Sequence, residues 1–461
     1  MKKLIFGILG IVTCVGISLI SPPPEMTATG MRFFGLVIWL ICWLAGGVMP
    51  EFMVGIGLLA LSVLTGICTL PEAFAPFSNE TTWLLVGAFG IGYCLKKSGL
   101  LTRIAYSIMK LFPESYTGQL FVLYFTGLLI SPLMPSMTAK ATLLCPLAIP
   151  AAEAFGYQKE SKGLTGLFMS SYWSAGLLGN FFFTGSVYVG IMCGCLSAEE
   201  AAKVTFFSWL KLFWPAFLVI AVGGFFAIRL IYAPKGGASL PKGFAREKLR
   251  ELGPISKDEI RCLVVLILVV LGWLTSSYTG VSNGICAVLG MIVLSLMNQI
   301  DARGFGAGIP WSAISLIAAI TFMANMMSAQ NIPAWLCRIL TPVLGKLVVA
   351  PIVLVVIVGV LGFLLRWGVA SIITTGTILF ALFSGFAVSM GVHPLTILFI
   401  GFLSAQNWPF AAYNTTFLAG LTCMNDTVRF SDVQKMSFVY SALVVFAGIA
   451  NAPLWKAFGM L

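Results

Sequence analysis

The sequence predicts an all-α polytopic membrane protein of about eleven transmembrane helices plus two re-entrant hairpins, arranged as an inverted repeat. Three observations predict it. Of 461 residues, 59% are hydrophobic and 9% charged, and the mean hydropathy is +1.00; a water-exposed surface cannot be covered with so few charges. Apolar runs long enough for roughly 30 Å of hydrocarbon recur along the whole chain without a polar stretch large enough for a soluble domain. Continuous runs of this kind suit helices, whereas barrel strands alternate. Finally, an interrupted apolar hairpin occurs twice. The first runs from Tyr116 to Gly156 and breaks at Pro135-Ser136-Met137-Thr138-Ala139-Lys140. The second runs from Ala350 to Gly391 and breaks at Arg366-Trp367-Gly368-Val369-Ala370-Ser371. Setting Ser136 against Ser371 also sets Gly156 against Gly391, and a small adjustment sets Lys97-Ser98-Gly99-Leu100 against Ala329-Gln330-Asn331-Ile332. Two diverged halves with interrupted hairpins are the pattern of secondary transporters whose substrate sits between the breaks.

In chain order, Lys2-Lys3 followed by Leu4 to Ile20 resembles a signal peptide, but no small-x-small cleavage site precedes Pro22, so an uncleaved first span is expected. Prolines 22, 23 and 24 end it before Glu25. Spans follow at about 32–48, 52–69 and 82–97, then an amphipathic surface helix between Lys96 and Glu114. The first hairpin occupies 117–155. A span over about 164–195 is broken at Gly179-Asn180-Phe181-Phe182-Phe183-Thr184-Gly185; such breaks expose backbone groups and line cavities. After Ser197 to Glu200 and a span at about 212–232, the polar loop Pro234 to Arg261 separates the halves. Spans near 262–278, 282–298 and 312–328, a surface helix from Ile332 to Lys346 and the hairpin at 350–390 repeat the plan. A second broken span, about 394–423, is interrupted from Ala405 to Thr416, and a last span ends near 456.

The formal net charge of +11 does not read as a nucleic-acid surface, because the basic residues are spread over short loops. Lys2, Lys3, Lys96, Lys97, Arg103, Lys110, Lys159, Lys162, the cluster from Arg229 to Arg261, Arg303, Arg429 and Lys435 fall on one side. Arg32, Lys203, Lys211, Arg338, Lys346 and Lys456 fall on the other. By the positive-inside rule the N-terminus is cytoplasmic and the C-terminus periplasmic or extracellular. The 11 cysteines sit nearly all within apolar runs and read as packing residues; Cys193-Gly-Cys195 alone is weak grounds for a metal site.

Helix N-termini at the breaks supply free N–H groups and partial positive charge, the partners that an anion in a membrane would need. Thr138 and Ser371 add hydroxyl donors. If the first hairpin is re-entrant, Lys140 lies roughly 18 Å of helix from the cytoplasmic end, too far to snorkel. Left unpaired it would cost about 3 kcal/mol, so it is expected to face a cavity or an anion. Arg366, at the second tip, is expected to bind the substrate's other end bidentately. The alternative is that 119–135 and 350–365 cross the bilayer and leave both as interfacial charges. For Ser136, Thr138 and Ser371 the alternative is packing and backbone bonding; Asn180, Asn407 and Asn414 can equally serve only freed backbone groups. Glu51, Glu72, Glu153 and Glu199 all lie at span ends, so no carboxylate relay or cation site is expected, nor an intramembrane enzyme. His393, beside Pro394, reads as structural.

The chain resembles the divalent anion/sodium symporter family over nearly its whole length. Carrying the resemblance are Pro24-Glu25, Thr82-Trp83-Leu84-Leu85-Val86-Gly87-Ala88-Phe89, Lys97 to Leu100, Ser136-Met137-Thr138, Ile255-Ser256-Lys257-Asp258-Glu259 and Gly391-Val392-His393-Pro394. It implies a homodimer in the lipid bilayer, in which an elevator-like transport domain slides against a scaffold. Mapped here, the scaffold is 1–115 and 262–347, the transport domain 116–232 and 348–461, and 233–261 a cytoplasmic linker. The implied substrates are di- and tricarboxylates or sulfate, moved with sodium or by exchange. The family's Ser-Asn-Thr tips bind sodium and the substrate carboxylate; here they read Ser136-Met137-Thr138 and Ser371-Ile372-Ile373, both without asparagine. Asn414 matches one Pro-Pro-Asn loop, and Thr184-Gly185 stands at the other. The resemblance therefore implies substrate contacts at Ser136, Met137, Thr138, Ser371, Thr184 and Asn414, to which the first broken span adds Asn180, with Ser136 and Ser371 as the candidate sodium ligands and no other cofactor. Lys140 and Arg366 would stand where sodium stands, favouring sodium-independent exchange of a C4-dicarboxylate such as succinate or malate. The alternative is sodium-coupled symport of citrate or of an oxyanion such as sulfate.

Overall fold

The computed structural model describes residues 2–24, 26–196, 198–234, 239–344 and 350–461. Glu25 of the proline turn, Ser197, residues 235–238 of the long polar loop and Lys346 lie outside them. Every regular element among the described residues is helical. The first half contains α1 (Lys2–Ser18), α2 (Ala28–Gly46), α3 (Glu51–Leu64), α4 (Leu70–Phe74), α5 (Glu80–Ser98) and α6 (Leu100–Met109). The first hairpin follows as α7 (Tyr116–Ile130), α8 (Met137–Leu144) and α9 (Ala148–Ala154). The first broken span is α10 (Lys162–Gly176) and α11 (Val187–Gly194), followed by α12 (Ala198–Lys203) and α13 (Phe206–Tyr232). Beyond α14 (Phe244–Glu251) come α15 (Lys257–Thr279), α16 (Asn283–Leu296), α17 (Ala302–Gly308), α18 (Trp311–Ala329) and α19 (Ile332–Leu344). The second hairpin is α20 (Pro351–Leu365) and α21 (Ile372–Ser389), the second broken span α22 (Pro394–Ala405) and α23 (Thr415–Thr422), and α24 (Phe430–Ala457) closes the chain.

Among the described residues seven helices are long and apolar enough to cross a membrane, eight if α5 and α6, bent by 68°, count as one span. This differs from the eleven of the sequence reading because α1, α3, α16 and α22 are short apolar helices and the first broken span, α10 and α11, does not pass, while two of the seven are hairpin legs. Length does not separate spans from hairpin legs, since Tyr116–Leu133 and Ile372–Ser389 also pass. The ring of Tyr116, where the first hairpin begins, lies 6.0 Å from Phe155 and 5.9 Å from Tyr157, where it ends. Both ends of the hairpin therefore lie together, and the chain between them turns back.

The positions that the sequence pairs share left-handed backbone. Gly156 and Gly391 end the two hairpins with φ of 76° and 77°, and Gly99 and Asn331, between a long helix and an amphipathic one, have φ of 82° and 56°. These left-handed positions stop one helix without the steric penalty that a β-carbon brings in most residues. The first hairpin leg packs on the first broken span where Gly127 faces Ser174, and the second where Gly362 faces Ser404. Small residues at both contacts let helices that gain nothing from excluding water approach closely.

The broken spans form the centre. Gly163 to Gly176 of α10 and Leu395 to Ala405 of α22 are buried throughout. Outer helices instead turn apolar side chains outward: Leu4 and Ile8 on α1, Phe226 and Leu230 on α13, Ile267 and Leu268 on α15. At one end, loops of the more basic side are tied together. Arg103 binds Glu259 at 2.7 Å and the Gly253 carbonyl at 3.0 Å, and Glu114 accepts from the Gly243 N–H at 2.9 Å. Arg429 bonds Glu160 and holds its carboxyl below the usual carboxylate range. At the other end Thr27 meets Gln330, and Glu200 meets His393 at 3.0 Å. The His393 ring also accepts from the Leu395 N–H and caps α22, so its structural role stands.

Candidate functional site

At the first tip, Pro132 and Pro135 stop the helix, and Ser136 caps α8 by accepting the Ala139 N–H at 3.1 Å. Lys140 sits in the first turn of α8, where side chains lean back toward the helix start. Its ammonium donates to the Gly185 carbonyl at 2.8 Å, with the Ser131 carbonyl and hydroxyl at 3.5 and 3.4 Å. Thr184 donates to the Pro132 carbonyl at 2.6 Å, stitching the break of the first span onto the tip. Asn180 donates to the Leu177 carbonyl at 3.2 Å, and its own buried Oδ1 has no partner.

The second tip solves the same problem from the opposite leg. Ser371 caps α21, accepting the Thr374 N–H at 3.1 Å. Arg366, the last residue before the tip, donates through Nη1 to the Val369 carbonyl at 2.9 Å and to the Ala370 carbonyl. Its Nη2 donates to the Tyr413 carbonyl and reaches the Asn407 carbonyl at 3.5 Å. Asn407 repeats Asn180, donating to the carbonyl three residues back, Ser404, at 2.7 Å and leaving Oδ1 unpartnered. Asn414 caps α23 by accepting the Phe417 N–H at 2.9 Å, and donates to the Gln406 carbonyl at 2.6 Å. The offset that pairs Ser136 with Ser371 pairs Ser131, a ligand of Lys140, with Arg366 itself. Each hairpin thus holds one cation, drawn from different legs, in a cradle of backbone carbonyls.

This corrects two expectations. Lys140 and Arg366 are fully buried, and neither is the open anion ligand that the sequence suggested. Carbonyls freed by the broken helices are the stronger local acceptors, and they take the charges first. Ser136, Ser371 and Asn414 all serve as helix caps.

Four helix starts converge around these cradles. The Ser186 hydroxyl, capping α11, donates to Met137 Sδ at 3.1 Å. Thr138 lies 3.0 Å from Thr416 in the first turn of α23, a bond between the two halves. A cavity of about 210 Å³ opens at the start of α21 and is lined by Ser371, Ile372, Tyr188, Tyr413, Thr415 and Glu51. That is below the roughly 300–1,000 Å³ of drug-sized sites and suits a small acid. Helix starts offer free N–H groups and partial positive charge to an anion. A larger cleft, about 450 Å³, lies by Asn79, Glu80 and Ser282, and no residue of either tip lines it.

Residues 2–451 match the family described as the sodium:sulfate symporter transmembrane region. The chain belongs to this family. The sodium:sulfate symporter family is one of transporters, not enzymes, and the chain is a multi-span membrane protein. It is similar to the chloroplastic dicarboxylate transporter 2 of Spinacia oleracea, 29% identical over 332 residues, 69% of this chain and 58% of that protein's length. It is also similar to the sodium-dependent dicarboxylate transporter SdcS of Staphylococcus saprophyticus, 21% identical over 422 residues, 86% of this chain and 80% of that one. Among solved structures, that of the Neisseria gonorrhoeae antimetabolite efflux pump MtrF shares the fold with a TM-score of 0.61 at 14% identity, covering 98% of this chain and 94% of that one.

Sodium, which the family name implies, is a hard cation held by oxygen ligands. The tip carbonyls that could supply them are engaged by the Lys140 ammonium and the Arg366 guanidinium, so the tips do not fit it. Glu51 was missed by the sequence reading, which set it aside as a span-end acid; following Pro50 it reads as an ordinary helix start, and nothing local marks its distant partner. Thr415 and Thr416 were legible in principle, as the first turn behind an asparagine cap.

Gly185 tests the first cradle. A β-carbon there would fall 2.5 Å from the Gly179 carbonyl oxygen and 2.9 Å from that of Ser131, both backbone. Gly185→Ala is expected to lower stability by about 1–3 kcal/mol, the usual range for overpacking, and to displace the Lys140 acceptor. A thermal melt of the detergent-solubilised protein beside succinate uptake checks it; a wild-type melt and wild-type uptake together would refute it.

Proposed function

We propose that the chain is a secondary carrier of small divalent organic anions, C4-dicarboxylates such as succinate or malate, working by sodium-independent exchange across the cell membrane. The observation that carries this is the pair of buried side-chain cations occupying the carbonyl cradles of both tips. Sodium would bring positive charge that arrives and leaves with each cycle; here the charge is fixed. The dianion binds at the converging helix starts, with the hydroxyls of Ser371 and Thr415 and the phenols of Tyr188 and Tyr413 as hydrogen-bond partners. Lys140 and Arg366 act behind this surface. They hold the tips in shape and supply the field that offsets the substrate's two charges.

The hydrogen bonds given above for both cations stay within 116–232 and 348–461, and the Thr138–Thr416 bond joins those segments. This supports moving them as one body against a scaffold of 1–115 and 262–347, the elevator movement, in a homodimer with the N-terminus cytoplasmic.

Radiolabelled succinate uptake into proteoliposomes, loaded with succinate or with buffer, each with and without an inward sodium gradient, tests this function. Uptake is expected to need internal succinate and to ignore sodium. Sodium-driven uptake into buffer-loaded vesicles would overturn it in favour of symport, with citrate and sulfate the next substrates to try.

A further inference from the structure

The lining of the second-tip cavity has one residue from the scaffold segments, and it is an acid. Glu51, the first residue of α3, lines this cavity together with Ser371. It therefore faces the start of α21 beside the phenols of Tyr188 and Tyr413. Arg366 holds the carbonyls of two other lining residues, Ala370 and Tyr413, and its buried Nε has no partner. A carboxylate facing a hydroxyl and a helix start, with a guanidinium behind that start, has the surroundings that one end of a dicarboxylate would have.

We propose that Glu51 is a built-in stand-in for one substrate carboxylate, a latch that ties the empty transport body to the scaffold through Ser371 and that an incoming dianion must displace. The inference rests on the exchange function and on the division into scaffold and transport body given above, and it names the residue that enforces exchange. Without substrate, the contact crosses the boundary along which the two bodies slide, so the empty carrier is held. With substrate bound, the two carboxylates compete for one place and repel, the contact opens, and the loaded body is free to move. A ligand can drive such a change only through a difference in its affinity for the two states, and this competition supplies one.

The test compares initial succinate uptake into buffer-loaded and succinate-loaded proteoliposomes for the wild type, Glu51→Gln, Glu51→Ala and Glu51→Asp. Removing the charge is expected to raise the ratio of empty-vesicle uptake to exchange about tenfold, as losing one hydrogen bond to a charged group would. The succinate concentration giving half-maximal uptake is expected to fall, because the internal competitor is gone. Glu51→Asp, which keeps the charge, is expected to stay nearer the wild type in both readouts. The neutral pair guards against misfolding, since either variant that elutes as the wild type does on size exclusion gives the ratio. Wild-type exchange with an unchanged ratio in the neutral variants would overturn the latch alone. Absence of exchange in the wild type would instead overturn the function on which it rests.

Discussion

Lys140→Ala is expected to lower succinate exchange by at least about a hundredfold, the loss of transition from a paired to an unpaired buried group worth about 3 kcal/mol or more. The truncation removes the amino group from behind the anion site and leaves the Gly185 carbonyl, bonded at 2.8 Å, facing an empty space. It also clears a set of hard oxygen ligands. Residual uptake by Lys140→Ala is therefore expected to rise with added sodium, whereas wild-type uptake stays flat. Exchange rates in proteoliposomes at matched protein content, with sodium or choline as the cation, read both effects. Full activity without the ammonium would mean that the cradle is only a packing device.

Arg366→Lys is expected to fail almost as badly, although it keeps the charge. The guanidinium spans four carbonyls, those of Val369, Ala370, Asn407 and Tyr413, with two nitrogens of one plane. An ammonium is a single point with three donors on a flexible stem and cannot tie the tip to the break in the same way. A loss of about a hundredfold in exchange is expected, on the order of 3 kcal/mol. A rise in the succinate concentration for half-maximal uptake should accompany it, because the start of α21 is no longer fixed. Near-normal exchange in Arg366→Lys would show that the charge suffices and the fork does not matter.

The hairpins and broken spans were legible because proline, serine and glycine punctuate them, and punctuation is local. The pairing of Gly156 with Gly391 could be proposed from spacing alone, and both residues do end their helices with positive φ, 76° and 77°. The partners of the two cations could not be read that way. Gly185 meets Lys140 from a different element, and Tyr413 meets Arg366 across a further helix and break, so the sequence displayed two charges near two tips but not the carbonyls that claim them. Glu51 was harder still. It sits more than three hundred residues from Ser371 in the chain, at a helix start where an acid is expected on dipole grounds alone.

One consequence of the carbonyl cradles concerns the membrane voltage. Cations bound to the moving body by covalent bonds travel wherever their cargo travels. On the proposed elevator movement, with both side chains protonated, two positive charges and a doubly negative substrate would sum to zero, and the loaded body would cross the membrane field without electrical work. The empty body would carry two uncompensated charges, and shifting them through 100 mV would involve about 4.6 kcal/mol. The proposed one-for-one exchange would then answer only to the ratios of its dianions on the two sides.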